Sequence, residues 1–258
     1  MYSTNRLCSA ARAAATHLLI SIIVAIATAF LIFGVWYPSP FDQLASGRDL
    51  FILVIAVDVV CGPVLTLIVF NPQKKRAELV RDIGFVALLQ LIALGYGIGS
   101  ASQARPVWIA LEGDSYRVVS LPDIDLTKLD EAPVELRQLS LTGPKLVGVR
   151  LASGSDPDYR ASIQQSLDGN PPAYRPGRWV EYPTQISKVI QSAHPVVRLY
   201  AKHSEHVALI DSVVSRSGAT KEKLGYLPLI SNKSMEWTVV INLDSGMPVG
   251  YLPLNAWE

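Results

Sequence analysis

The chain has 258 residues, half of them hydrophobic, with 23 basic and 22 acidic side chains and a formal net charge of +1. That balance argues against an electrostatically driven nucleic-acid binder, and the length leaves room for an apolar helical region plus one modest soluble domain. Residues 1–100 carry seven basic and five acidic side chains, against sixteen and seventeen in the remainder, so the basic excess sits in the apolar part. The two cysteines, Cys8 and Cys61, also lie there, so a C-terminal domain outside the cytoplasm holds together by packing rather than by a disulfide.

Residues 1–16 are polar and basic, with Arg6 and Arg12. An almost uninterrupted apolar run follows at 18–36 and ends in Trp36-Tyr37-Pro38, an aromatic interface anchor with a helix stop. A cleaved signal peptide is the competing reading. Its apolar core runs about 7–15 residues and small residues follow it; this run is longer and aromatic at its end, which favours an uncleaved anchor. Residues 50–70 form the second span: about 21 residues at about 1.5 Å each match the hydrocarbon core of a bilayer. It contains Asp58. A mid-helix carboxylate costs about 2.5–3.5 kcal/mol, while each Leu, Ile, Val or Phe returns about 0.3–0.6. With about 15 such residues the apolar side wins. Residues 71–82 read as a basic loop with Lys74, Lys75, Arg76 and Arg81, and residues 83–100 as a third span carrying Gln90 and several glycines. The basic residues place the N-terminus and the 71–82 loop inside and residues 104–258 outside, which in a bacterium is the periplasm.

Each span carries small or polar residues at helical spacing: Ser21, Ala25, Thr28 and Ala29; Asp58, Cys61, Gly62 and Thr66; Gln90, Ala93 and Gly97. Membrane helices associate through such close packing. The stripes either hold a three-helix bundle together or leave part of its surface open to a partner's helix.

In the second part, residues 107–111 and 116–121 read as strands around a Glu112-Gly113-Asp114 hairpin. Residues 122–144 lack periodicity, and 145–151 read as a strand. Asp156-Pro157 predicts a helix over 158–168 stopped by Gly169, and Thr184 a cap for a helix over 185–192. Val207, Ile210, Val213 and Val214 mark an amphipathic helix that Gly218 ends. Strands follow at 225–230, 237–241 and 247–252, the last two joined by a turn at 242–246. Gly-Tyr-Leu-Pro-Leu occurs at both 225–229 and 250–254, which suggests neighbouring, similarly packed strands with the prolines at strand ends or edges. The sum is a small α+β domain over 104–258, after a three-helix transmembrane region over 1–103.

Catalytic patterns are sparse. His203-Ser204-Glu205-His206 lacks the spacing of a zinc-protease helix, and neither Ser153-Gly154-Ser155 nor the glycines at 95–99 have the context of a nucleophile elbow or phosphate loop. His194 has no evident acid or nucleophile beside it. No catalytic residue, metal site or cofactor is therefore expected. Arg175, Arg178, Trp179 and Tyr182 form a patch that either binds an anion or is a solvated loop with aromatic anchors. Asp58 is the leading functional candidate, since an ionisable group in a span is one by default. It either contacts a polar group on a partner's helix or is held by Gln90, Thr28 or Ser21 and merely fixes helix register.

Several stretches resemble the type IV pilin accessory proteins of the TfpX/TfpZ type. They are Trp36-Tyr37-Pro38, the run from Asp58 through Gly62-Pro63 and Thr66 to Asn71-Pro72, Ala87-Leu88-Leu89-Gln90-Leu91, Ala104-Arg105-Pro106-Val107, Trp237-Thr238-Val239-Val240-Ile241 and the two Gly-Tyr-Leu-Pro-Leu segments. Residues 121–195 carry no part of the resemblance. It implies a chaperone-like, non-enzymatic inner-membrane protein that assists a particular major pilin, with the bilayer and that pilin as partners. The residues proposed for partner contact are Asp58, Gly62, Thr66 and Gln90 in the spans and Tyr174, Arg175, Arg178 and Trp179 outside. The alternative is a membrane-anchored periplasmic ligand or envelope-stress sensor that uses residues 170–182.

Overall fold

The computed structural model describes residues 2–257, and the chain divides into two compact units, Met1–Arg105 and Pro106–Glu258. Three helices of the first unit are long and apolar enough to cross a membrane: Arg6–Trp36, Gly47–Val69 and Arg76–Gln103. Each runs beyond its apolar stretch because the flanking residues also favour helix. The alanines at 10, 11 and 13–15 carry the first helix backward, and Ala77, Glu78 and Leu79 do so for the third. The basic loop read at 71–82 therefore shortens to residues 70–75, with Arg76 and Arg81 on the third helix. Lys74 Nζ closes the turn, donating to Val69 O at 3.3 Å and to Asp82 Oδ2 at 2.7 Å.

Tyr37, read as part of an interface anchor, is packed inside the unit. The first helix widens into a π-turn over Phe30–Trp36, and Tyr37 then donates its hydroxyl to Ala101 O at 2.8 Å, tying the ends of the first and third helices. Gly47 opens the second helix against the Tyr37 ring, where a Cβ would come within 2.6 Å of ring carbons. Gly97 permits a similar approach of the second and third helices, since a Cβ there would meet Val54 at 2.3 Å.

Among the described residues of the second unit, eight strands form one mixed sheet. They are β1 (Pro106–Glu112), β2 (Ser115–Ser120), β3 (Lys145–Val149), β4 (Trp179–Val180), β5 (His194–Pro195), β6 (Leu224–Ile230), β7 (Trp237–Asn242) and β8 (Met247–Leu252). The order is β4-β3-β1-β2-β6-β7-β8, with β5 also on β6. The β1–β2 and β7–β8 turns form where the sequence puts them, each with a glycine in the left-handed region, Gly113 at φ 71° and Gly246 at φ 69°, which costs a glycine little. Residues 106–111 are all buried. That explains their unbroken apolar run, for a strand covered on both faces does not alternate.

The two Gly-Tyr-Leu-Pro-Leu segments are not on adjacent strands. They flank β7, which pairs antiparallel with both: Tyr226 faces Val240 and Tyr251 faces Val239. Pro228 lies inside β6, opposite Thr238, rather than at an end or edge. The sheet tolerates it because the other side of β6 is divided. There β5 pairs at Tyr226 and Gly225 and β2 at Leu229 and Ile230, so no partner strand requires an N–H from residue 228.

Two cores follow this division. Val107, Trp108, Val119, Val147, Val149 and Trp179 pack with residues of the 124–136 segment, and the Trp108 and Trp179 rings meet edge to face at 5.6 Å. Val196, Leu199, Ile210 and Val213 cover Leu224, Tyr226, Val240 and Leu252 on the other side of the chain of strands. Helix Val196–Lys202 has no counterpart in the sequence reading; helix Val207–Ser217 does, and Gly218 ends it at φ 68°. Two caps are corrected. Helix Tyr159–Leu167 starts after Asp158, while the Asp156 carboxylate accepts from Ser153 N and Arg150 instead. Thr184 turns back to Glu181 O and leaves helix Ile186–Ser192 uncapped by any side chain.

A pair of hydroxyls spans the two halves of the sheet. Tyr116 on β2 bonds Tyr182 at 2.6 Å, and Tyr182 donates to Gly246 O at 2.5 Å in the β7–β8 turn. Burial pushes both phenols above their usual range. Replacing Tyr182 by Phe removes both contacts and strands a buried hydroxyl, at a cost of about 1–3 kcal/mol. A lower urea midpoint for the second unit by pulse proteolysis is the expected readout, and an unchanged midpoint would refute the link.

Candidate functional site

The site in the first unit begins with a proline. Pro63 has no N–H to give the carbonyl one turn back, and its ring crowds that carbonyl. The preceding residues Ala56–Cys61 widen into a π-turn, and the α-helix resumes at Gly62–Val69, as π-bulges commonly do beside functional residues. Asp58 lies in that turn, 6% exposed.

Gln90 of the third helix donates Nε2 to the Asp58 backbone carbonyl at 3.0 Å. Gly62 makes room for it, since a Cβ at Gly62 would fall 2.0 Å from that Nε2. Thr66 is buried and its Oγ1 lies 2.5 Å from Nδ1 of His17 on the first helix. The second helix thus spends Gly62 and Thr66 on contacts within the unit, and the exposed member of its stripe is Cys61. Of the partners anticipated for Asp58, Gln90 is present, but it bonds the main chain. The carboxylate Oδ1 is buried and has no hydrogen-bond partner.

Asp58 also lines a cleft of about 180 Å³. His17 and Ser21 of the first helix and Gln90 of the third supply its other polar groups, set among Ile20, Val24, Leu91 and Leu94. An apolar-walled cleft with a few converging polar groups has the character of a binding site. His17 went unnoticed in the sequence because it precedes the apolar run; its position four residues before Ser21, on the same helical face, was the available signal.

The external candidates separate. Trp179 is a core residue, donating Nε1 to Ala173 O at 2.9 Å. Arg178 is buried and paired with Asp158. Arg175 donates to Gln165 Oε1 at 2.5 Å. Tyr174 donates to Asn232 Oδ1 at 2.8 Å and lies under the Arg117 guanidinium. Tyr182 joins the hydroxyl pair described above. The structure therefore brings Tyr174, Arg175 and Arg178 into one ordered loop and assigns the two aromatic rings at 179 and 182 to packing. Asp156, which accepts from Ser153 N and faces Arg150 and Arg178, is held below the usual carboxylate range, mainly by the Ser153 N–H.

The fold is thus a unit of three helices long and apolar enough to cross a membrane, with a buried carboxylate lining a cleft, followed by an α+β unit. Comparison with known proteins is more specific. Residues 5–46 match the family described as Fimbrial assembly protein FimB. The fimbrial assembly protein of serogroup E1 from Dichelobacter nodosus is 35% identical over 255 residues, covering 98% of each chain. The serogroup I protein of the same organism is 34% identical over the same span and coverage. A third, of serogroups C1 and C2, is 42% identical over 128 residues, half of this chain and 98% of that protein. The chain belongs to this fimbrial assembly protein family. No solved structure matches it.

Two outcomes follow. Gly62→Leu drives the second and third helices apart and costs at least the ~1–3 kcal/mol of an overpacked core. Its melting temperature in detergent should fall, while Gly84→Leu, where a Cβ meets open space, should leave it unchanged. For Asp156, the lowered folded pKa means its stabilisation is present above the ordinary carboxylate value of about 3.9 and is lost as pH falls further. Hydrogen exchange over residues 150–158 should therefore accelerate below about pH 4 in the native chain. Asp156→Asn should lack that acid-dependent step.

Proposed function

We propose that the chain is a chaperone-like accessory factor of type IV pilus assembly, of the TfpX/TfpZ type, that resides in the bacterial inner membrane and holds a specific major pilin before or during its incorporation. The observation that carries this reading is the match, over 98% of both chains, to proteins named for fimbrial assembly. Those names describe assembly, not a reaction, and the reading needs no catalytic group.

Membrane insertion is supported by the three helices of sufficient length and apolarity. Topology is supported by charge: Arg6 and Arg12 at one end of the first helix and Lys74, Lys75, Arg76 and Arg81 at the turn before the third face the cytoplasm. The second unit then lies in the periplasm. A pilin awaiting assembly, as the family resemblance implies, offers an apolar helix in the same membrane and a globular head outside it. The cleft suits the helix. In hydrocarbon a polar group on that helix has no water to bond, and Asp58 Oδ1, His17, Ser21 and Gln90 offer it partners. Gly62 and Thr66 serve the contact by fixing the shape of the cleft. The head is the task of the second unit, with Tyr174 and Arg175 on its surface loop and Arg178 and Trp179 supporting that loop.

Photo-crosslinking in piliated cells tests this, with the probe at Leu91 on the cleft wall and a control at exposed Ile26 outside it. Major pilin should be captured at Leu91, several-fold less with Asp58→Leu, and not at Ile26. Failure to capture pilin at Leu91 and at exposed positions of the second unit would end the direct-holding proposal.

A further inference from the structure

The loop over residues 170–178 closes against helix Tyr159–Leu167 and the turn Leu126–Glu131, leaving a polar cavity of about 250 Å³. Four cationic side chains stand in its wall. Three already face carboxylates: Lys128 lies 3.8 Å from Asp125 Oδ2, Arg150 bonds Asp156 at 2.9 Å, and Arg178 pairs with Asp158 and lies 3.8 Å from Asp156. Arg175 makes no ion pair with a carboxylate among the described residues. Its guanidinium donates to neutral acceptors only, Gln165 Oε1 at 2.5 Å, Ser166 Oγ at 3.3 Å and Ser162 O at 3.4 Å.

Donors remain unused. Arg175 Nε and Arg178 Nη1 are both buried and make no hydrogen bond, although Nη1 faces Asp156 Oδ2 at 3.8 Å. Buried charged donors left unmade are costly, and guanidinium forks match carboxylate and phosphate oxygens. The two guanidiniums also act on each other: burial, and then the Arg178 charge, pull Arg175 below its usual range. An anion placed against both relieves that repulsion. Glu131 also lines the cavity, beside Gly177, where a Cβ would come within 2.8 Å of its Oε2; it is exposed and forms no ion pair among the described residues. Three carboxylates also line the cavity: Asp125 and Asp158 face Lys128 and Arg178, and Glu131 opposes a second negative charge, which leaves Arg175 as the cation without an ion pair among the described residues.

We infer that this cavity is an oxyanion site in which Arg175 and Arg178 bind the carboxylate or phosphate group of a small soluble ligand. The site is separate from the helical cleft, but it shares Arg175 and Arg178 with the loop proposed above to meet the pilin head. A ligand with a single anionic group is favoured, because Glu131 repels a second one.

Calorimetric titration of the full chain in non-ionic detergent and chloride buffer tests it, with inorganic phosphate in one arm and acetate in the other. One saturable site is expected in at least one arm, and the arm that saturates names the oxyanion. Arg175→Gln should weaken it about tenfold or more, a change of the size one lost charged contact produces. Glu131→Gln should tighten it by removing the opposing charge, and Arg216→Gln, on an exposed helix face, should change nothing. The inference falls if neither anion saturates, or if binding survives Arg175→Gln, which would mean an adventitious ion only. Should Arg175→Gln loosen the loop, Glu131→Gln still decides, because that side chain holds no hydrogen bond; unchanged or weaker binding in it overturns the assignment.

Discussion

Asp58 and Pro63 lie five residues apart on one apolar helix, and the helical unit is arranged around accommodating both. The proline removes a main-chain donor and forces the wide turn. The wide turn moves the Asp58 backbone carbonyl to where Gln90 reaches it, at 3.0 Å. Gln90 reaches it only because residue 62 is glycine. One further turn places Thr66 against His17, which draws the first helix onto the second. Polar side chains in an apolar bundle commonly act as such glue. What distinguishes this set is that the carboxylate keeps a buried oxygen, Oδ1, without a hydrogen bond, and that Asp58 lines a cleft.

The second unit solves a different problem with similar economy. Residues 170–178 make two short 3-10 turns, Pro172–Tyr174 and Pro176–Arg178, and side chains tie those turns to their surroundings: Trp179 bonds back to Ala173 O, Arg175 to the helix below, and Arg178 to the acid preceding that helix. A loop pinned at three points is ordered enough to shape a cavity. The arginines serve as struts for the loop, with Asp156 and Asp158 held against Arg150 and Arg178.

The sequence made the strands and the glycine turns legible because their cues are local. β-branched runs bounded by Gly113 and Gly246 specify hairpins without help from the rest of the chain. The three helices were legible from apolarity, although their starts were not, since an alanine-rich or basic flank continues a helix as readily as an apolar one. The widened turns before Gly62 and at 30–36 left no periodic trace. Helix Val196–Lys202 was hidden by a length of only two turns. The repeated pentapeptide misled because identical strands do not have to pair, and here a third strand lies between them. At the candidate site, helical spacing put Asp58, Gly62 and Thr66 on one stripe, proposed for partner contact, and the structure buries all three. Spacing did not reveal that glycine and threonine were already occupied by Gln90 and His17, because occupancy depends on which helices meet.

The division at Pro228 has a mechanical meaning. Between β2 and β6 the ladder amounts to two residue pairs, Tyr116 with Leu229 and Arg117 with Ile230. Each half of the sheet keeps its own apolar core on its own side of that short join. Elements linked by few main-chain bonds and separate cores tend to open as separate cooperative units. The phenol chain from Tyr116 through Tyr182 to Gly246 crosses the join and works as a rivet. With it in place, two small foldons, each with a modest core, behave as one larger body.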